Sequence, residues 1–312
     1  MKITLNRILG ATLAVFFAMA ISANAQVAPA APPAPVDYSK VQIKPTKLSD
    51  NLYTLVGMGG TTGALVGPDG VLLVDTQFAP LTDKIVAAVR QISSSPIRFV
   101  LNTHFHSDHI GGNENLGKMG AVIFSRDELR QSMITPGPGI NGAKIMPSPQ
   151  AALPLVTYRG RLTFHLNGEQ VSVIPIPHAH TDGDSIVVFH SADVIMTGDI
   201  FRAIGYPLAD LGSGGSLNGL IEGSGVILGL AGPNTKIVPG HGPTTDRAAV
   251  MAWKDMMMLA RDRVAEMIRQ GKTVDEVVAA HITADFDAKT SQPADAGNRF
   301  IGQVYAELKA VK

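Results

Sequence analysis

Residues 104–109 read His104-Phe105-His106-Ser107-Asp108-His109, which puts three of the chain's nine histidines and an aspartate within six positions. Side chains alternate along an extended segment, so His104 and His106 point to the same side. Residues 97–101, just upstream, read as a buried strand, and Asp108 and His109 then open the next helix. Gly111 and Gly112 let the backbone pack closely behind it. Metal-binding groups thus converge at a strand-to-helix junction, a density that seldom serves packing alone. The chain has no cysteine. Any metal must therefore be held by imidazole and carboxylate, a donor set that suits zinc. Three histidines suffice for one ion, while Asp108 and His109 begin a second.

Working outward, residues 52–56, 63–66 and 71–74 are short aliphatic or β-branched runs separated by glycine, and Gly67-Pro68-Asp69-Gly70 is a turn between two of them. Residues 81–92 carry apolar positions at helical spacing. The stretch 133–150 holds four prolines and three glycines and reads as a loop over the site. The second half repeats the rhythm, with strands over 162–166, 171–176, 186–189, 194–196 and 237–238. Asn167-Gly168 is a hairpin signal between the first two of these. Helices are expected over 217–230, 248–268, 275–281 and 298–308. Two strand-rich halves with helices between them predict an α/β protein, a four-layer αββα sandwich of two packed sheets flanked by helices.

The chain opens with Lys2 and Arg7, an apolar run over 8–21 and then Ala23-Asn24-Ala25, the pattern of a cleaved signal peptide ending at residue 25. The run is shorter than the roughly 20 residues of a spanning helix, so no stable anchor is expected after cleavage. Residues 26–40 are rich in proline and alanine and read as a linker. The main domain is expected over 41–270, with a helical extension, 271–312, packed on it. A signal peptide without cysteines points to a bacterial periplasm or to secretion. With 26 basic and 26 acidic residues, the chain offers no electrostatic basis for binding nucleic acid. The expected partner is a small-molecule substrate.

The pattern His104-x-His106-x-Asp108-His109 resembles the signature of the metallo-β-lactamase superfamily, and the resemblance runs from about Leu52 to His241. Leu72-Leu73-Val74-Asp75 resembles the strand whose final aspartate braces the ligand loop. His180-Thr181-Asp182-Gly183-Asp184-Ser185, Thr197-Gly198-Asp199 and Pro239-Gly240-His241-Gly242 resemble the remaining ligand motifs in order. The resemblance implies a first zinc on His104, His106 and His180, a second on Asp108, His109 and His241, and Asp199 bridging them. His178, two residues before His180, is the rival candidate. His165, His190 and His281 are given no role. Iron and manganese are the alternative ions.

Two ions sharing a water lower its pKa towards neutrality and deliver hydroxide to a carbonyl or similar electrophile. Asp108 and Asp199 are the catalytic carboxylates on this reading, and Asp75 is a brace behind the ligands. The implied activity is hydrolysis of a β-lactam-like amide or a related cyclic or ester acyl bond. An aspartate at 199 resembles the bridge of glyoxalase-II-type thioesterases, lactonases and phosphodiesterases. Arg202, Phe105 and Tyr206 are the candidate substrate contacts; a guanidinium at 202 can hold a carboxylate at two points. Two further readings differ in class: an iron-dependent sulfur dioxygenase, and a binding protein without catalysis, against which the intact ligand set argues.

Overall fold

Successive residues of the segment Val71–Val74 face two different cores: Leu72 and Val74 lie in one apolar cluster, Val71 and Leu73 in another. That period of two, buried on both faces, marks a strand inside a sheet covered on each side. The computed structural model describes residues 36–138, 144–290 and 295–310, and everything below belongs to one unit, Asp37–Lys312.

The first sheet has seven strands. In spatial order they are β1 (Lys44–Lys47), β2 (Leu52–Val56), β3 (Thr62–Leu65), β4 (Val71–Val74), β5 (Ile97–Leu101), β6 (Val122–Arg126) and, after the short pair β7 (Gly137–Pro138) and β8 (Lys144–Ile145), β9 (Val156–Tyr158). Pairing is antiparallel up to β4 and parallel from β4 to β9. The second sheet runs β10 (Leu162–Leu166), β11 (Glu169–Pro175), β12 (Ser185–Phe189), β13 (Val194–Met196) and β14 (Lys236–Val238). Only its last pair, β13 with β14, is parallel.

Leu65, Leu72 and Val74 from the first sheet share a core with Val171, Val187, Phe189 and Met196 from the second, so the sheets pack face to face. The outer face of the first sheet is covered by α1 (Thr82–Arg90), through Ile85 and Val89 against Leu73 and Val100. The outer face of the second is covered by α5 (Leu217–Leu230) and α6 (Arg247–Arg269), whose Leu220, Ile227, Val250 and Met257 meet Ile186, Ile195 and Ile237. Four layers follow, as the sequence predicts. α6 starts where its cap allows: the Asp246 carboxylate accepts the Ala249 N–H at 3.0 Å. At the Asn167-Gly168 hairpin both residues have positive φ, and the Asn167 side chain reaches the first sheet's turn, accepting from Asp69 N–H at 2.9 Å.

One boundary differs from the expectation. The linker expected over 26–40 ends sooner: Tyr38–Lys40 form a 3-10 turn, and Lys84 Nζ donates to the carbonyls of Tyr38, Ser39 and Val41 at 2.6–2.8 Å. Residues 271–312 include α7 (Val274–Ala279), α8 (Ala284–Thr290) and α9 (Asp295–Ala310). Val277, Phe300 and Val304 share one core with Trp253 and Met257 of α6, so this segment completes the helical layer. The signal peptide expected over 1–25 lies outside the described residues, as do 139–143 of the 133–150 loop. No helix among the described residues is long and apolar enough to cross a membrane.

Candidate metal centre

The ligand residues arrive on loops that follow strands. β4 ends at Val74, and Asp75 turns out of it with φ +62°, a left-handed conformation that aspartate tolerates. The Asp75 carboxylate is buried and takes three donors: Thr103 N–H at 2.8 Å, Thr103 O–H at 2.7 Å and His109 Nδ1–H at 2.8 Å. β5 ends at Leu101, and the chain continues into His104 and His106. The short α2 (Ser107–Ile110), just ahead of α3 (Asn113–Lys118), then carries Asp108 and His109. His180 precedes β12, Asp199 follows β13, and His241 follows β14.

Four of the five histidine rings are held from outside by one nitrogen. His104 Nδ1 lies 3.1 Å from Thr103 Oγ1, whose own proton goes to Asp75. His106 Nε2–H donates to Asp210 at 3.0 Å, His109 Nδ1–H to Asp75, and His180 Nδ1–H to the Leu208 carbonyl at 2.6 Å. A neutral imidazole that donates through one nitrogen presents a lone pair on the other. Four ring nitrogens are therefore turned inward, Nε2 of His104, Nδ1 of His106, Nε2 of His109 and Nε2 of His180, each offering a lone pair when its ring is neutral.

These inner atoms meet. His106 Nδ1 and His180 Nε2 are 2.8 Å apart, and His109 Nε2 and His241 Nε2 are 3.5 Å apart. Asp199 lies between the two sets, with Oδ1 3.3 Å from His109 and Oδ2 3.3 Å from His241 and 3.7 Å from His180. Asp108 Oδ2 is 3.2 Å from His241. His104, His106 and His180 form one group whose ligand atoms lie within 4.8 Å of one another, as do Asp108, His109 and His241, and as do His104, His109 and Asp199.

Without a cation this arrangement is electrostatically unbalanced. Burial, with the neighbouring His109 and His180 charges, pushes His104 well below the usual histidine range, and burial pushes His180 down to about 4. Burial also acts on His109, but the Asp199 and Asp75 carboxylates outweigh it and raise that ring well above its ordinary value. His241 is raised too: burial is outweighed by hydrogen bonds to Asp108 and Asp199. Asp108 is held to about 2, because the His241 hydrogen bond and the His109 charge overcome burial. His104 Nε2 and Asp199 Oδ1 are buried and have no hydrogen-bond partner. Buried polar atoms left unpaired are costly, and here they belong to metal-ligand types inside a converging set. Two glycines keep the cradle open. A Cβ on Gly60 would sit 2.2 Å from His109 Cε1, and one on Gly240 would sit 1.9 Å from Asp199 Oδ1. The residues fit two divalent ions.

All seven metal candidates from the sequence thus come together, with Asp75 behind them. His178 does not join: it is exposed, has φ +57°, and its Nδ1 meets the Gly214 carbonyl at 3.1 Å. Five of the seven, His106, Asp108, His180, Asp199 and His241, form the floor of a cavity of about 580 Å3, which Phe105 and Arg202 also line, while His104 and His109 lie buried behind it. Arg202 Nε is 3.8 Å from Asp199 Oδ2. Tyr206 is a correction. It does not line this cavity but is buried against the C-terminal helices, stacked on Phe300 at 5.4 Å, with its hydroxyl donating to the Asp287 carboxylate. An aromatic ring with one polar tip satisfies both needs there, leaving nothing for a substrate.

Sequence reasoning missed Asp210. It reaches His106 across 104 residues from a glycine- and serine-rich loop with no motif, and its backbone N–H donates to the His180 carbonyl at 2.7 Å. Asp184 was visible only as part of a motif. It proves to be buried, accepting the N–H groups of His180 and Thr181 at 2.6 and 2.9 Å, which fixes the loop that carries His180.

Among known proteins, a 77-residue stretch is 36% identical to the linear primary-alkylsulfatase of Pseudomonas sp. (strain ATCC 19151), covering 22% of this chain and 15% of that protein. The structure is similar to the stereoselective inverting sec-alkylsulfatase Pisa1 from Pseudomonas sp., with a TM-score of 0.65 and 15% identity, covering 86% of this chain and 51% of that one. It is also similar to a metallo-beta-lactamase from Pontibacter korlensis, with a TM-score of 0.58 and 18% identity, covering 70% of this chain and 99% of that one. The chain thus spans about half the length of the sec-alkylsulfatase and a small part of the primary one. The family model of the metallo-beta-lactamase superfamily matches residues 56–248, most of both sheets and every candidate ligand named above, and this chain belongs to that superfamily.

Proposed function

We propose that the protein is an exported, binuclear zinc hydrolase that cleaves a β-lactam-like amide or a related cyclic or ester acyl bond in a small molecule. The observation that carries this reading is the set of four inward-facing imidazole nitrogens with Asp199 among them, beneath an open cavity. His104, His106 and His180 would hold one ion, Asp108, His109 and His241 the other, and Asp199 both. Bound divalent ions supply Lewis acidity, lowering the pKa of a shared water and polarising the bond to be cleaved. Asp108, held ionised, accepts a hydrogen bond from the attacking water and so orients it. Arg202, 3.8 Å from Asp199 and lining the cavity, offers its guanidinium to an anionic group on the substrate. Export is supported by Lys2, Arg7, the apolar run over 8–21 and Ala23-Asn24-Ala25.

A second reading, sulfate-ester hydrolysis, is favoured by the 36% identity to the linear primary-alkylsulfatase, although only over 77 residues. Both readings are tested with purified, zinc-loaded chain lacking residues 1–25, against a cephalosporin, a carbapenem, a lactone, a thioester, a phosphodiester and a primary alkyl sulfate. Turnover of an acyl substrate, abolished by chelator, is expected. Turnover of the sulfate alone would establish the second reading, and inertness towards the whole panel would contradict both.

A further inference from the structure

We infer that the substrate is an amphiphilic anion whose unbranched apolar tail lies on a wall formed by Phe105, Ile110, Met133, Met146 and Leu208. The inference rests on the cavity over the ligands being the substrate site. That cavity, about 580 Å3, has the size of those that bury most of a drug-sized ligand, far more room than a hydrolysed bond needs. The ligands and Arg202 account for one part of its lining. What remains is mostly apolar.

The wall is continuous with the metal floor. Phe105 sits between two ligands in sequence, with its ring 4.8 Å from that of His106. It belongs to a separate apolar cluster with Leu129, Met133 and Ala152, against which Ile110 packs. Met146 extends the wall outward and is 64% exposed, so its apolar surface is in water unless something covers it. The polar lining residues besides the ligands and Arg202 are Ser107, Ser148 and Glu114, and Glu114 is already paired with Lys118 at 2.6 Å. The wall thus asks for no second charge. Methionine is unbranched and polarisable, so two of them suit a flexible chain of graded length better than one rigid ring system.

The test separates tail binding from turnover by using straight-chain carboxylates, acetate to decanoate, below their micelle concentrations. Their dissociation constants for the zinc-loaded chain are measured by calorimetry. Affinity should rise about fourfold per added methylene through the middle of the series, the equivalent of about 0.8 kcal/mol per buried CH2, and then level off. Met146→Gln, at an exposed position, should flatten the outer part of that rise. Affinity independent of chain length would overturn the inference even if the acyl panel is hydrolysed, and so would an unchanged slope in Met146→Gln. A clear slope with an inert panel would support the tail site while removing the hydrolase reading.

Discussion

The floor and the wall of this cavity differ in how firmly each side chain is tied down. On the floor, the rings of His104, His106, His109 and His180 each make an outer polar contact, to Thr103, Asp210, Asp75 and Leu208 respectively. On the wall, Phe105 and Met133 are held by packing alone, and Met146 lies largely in water. Directional contacts fix atoms to within tenths of an ångström, as metal coordination requires, whereas apolar contact tolerates adjustment. The floor is therefore suited to set the reaction and the wall to choose what enters.

Substitutions can break or sharpen this contrast. The largest effect is expected from His106→Ala, which should lower hydrolysis to the background rate and remove zinc from the His104–His106–His180 group, read as metal content on the same sample. Gly60→Ala should come close to it, because the new Cβ would meet the His109 ring at 2.2 Å. Asp210→Ala should follow, weakening zinc at the same group by roughly 10–100-fold in chelator competition, since the outer hydrogen bond orients His106. Asp210→Asn, which can still accept from Nε2–H, should recover part of that loss.

On the wall, Ile110→Ala should raise KM several-fold with little change in kcat, because it removes contact made equally in the ground and transition states. The smallest effect is expected for Tyr206→Phe: a loss of about 1 kcal/mol of stability with unchanged kinetics, since its hydroxyl serves the C-terminal helices.

The floor is itself divided, and pH exposes the division. In the metal-free chain His104 and His180 are pushed down and stay neutral near pH 7, whereas the carboxylates raise His109 and His241. Zinc must displace the protons that the raised rings hold. Affinity at the Asp108–His109–His241 group should thus fall as pH drops from 8 to 6, with a smaller change at the His104–His106–His180 group. Zinc titrations at both pH values would show this as separation of two binding steps, and parallel weakening of both would refute it.

The same contrast explains what could be read from sequence. Candidate ligands leave a trace because histidine and aspartate gather just after strands, and the seven that the structure brings together were all legible. The strands β2, β4, β5, β10 and β13 were legible to the residue because turn residues, glycine, proline, asparagine or aspartate, interrupt the chain beside their apolar runs. β6 and α4 (Asp127–Ile134) were not, because Arg126 passes into Asp127 with no turn residue between them. Asp210 left no trace because its partner is 104 residues away and its loop has no period. Tyr206 misled for the converse reason: nearness to Asp199 in sequence suggested the cavity, while packing against Phe300 drew the ring elsewhere.

The most direct test of the central claim is the zinc stoichiometry of the native chain, stripped with chelator and titrated back at pH 7.5. Two bound ions per chain, falling to no more than one in Asp199→Ala, are the predicted result. A native chain that binds one ion or none, or an Asp199→Ala chain that still binds two with native affinity, would contradict it.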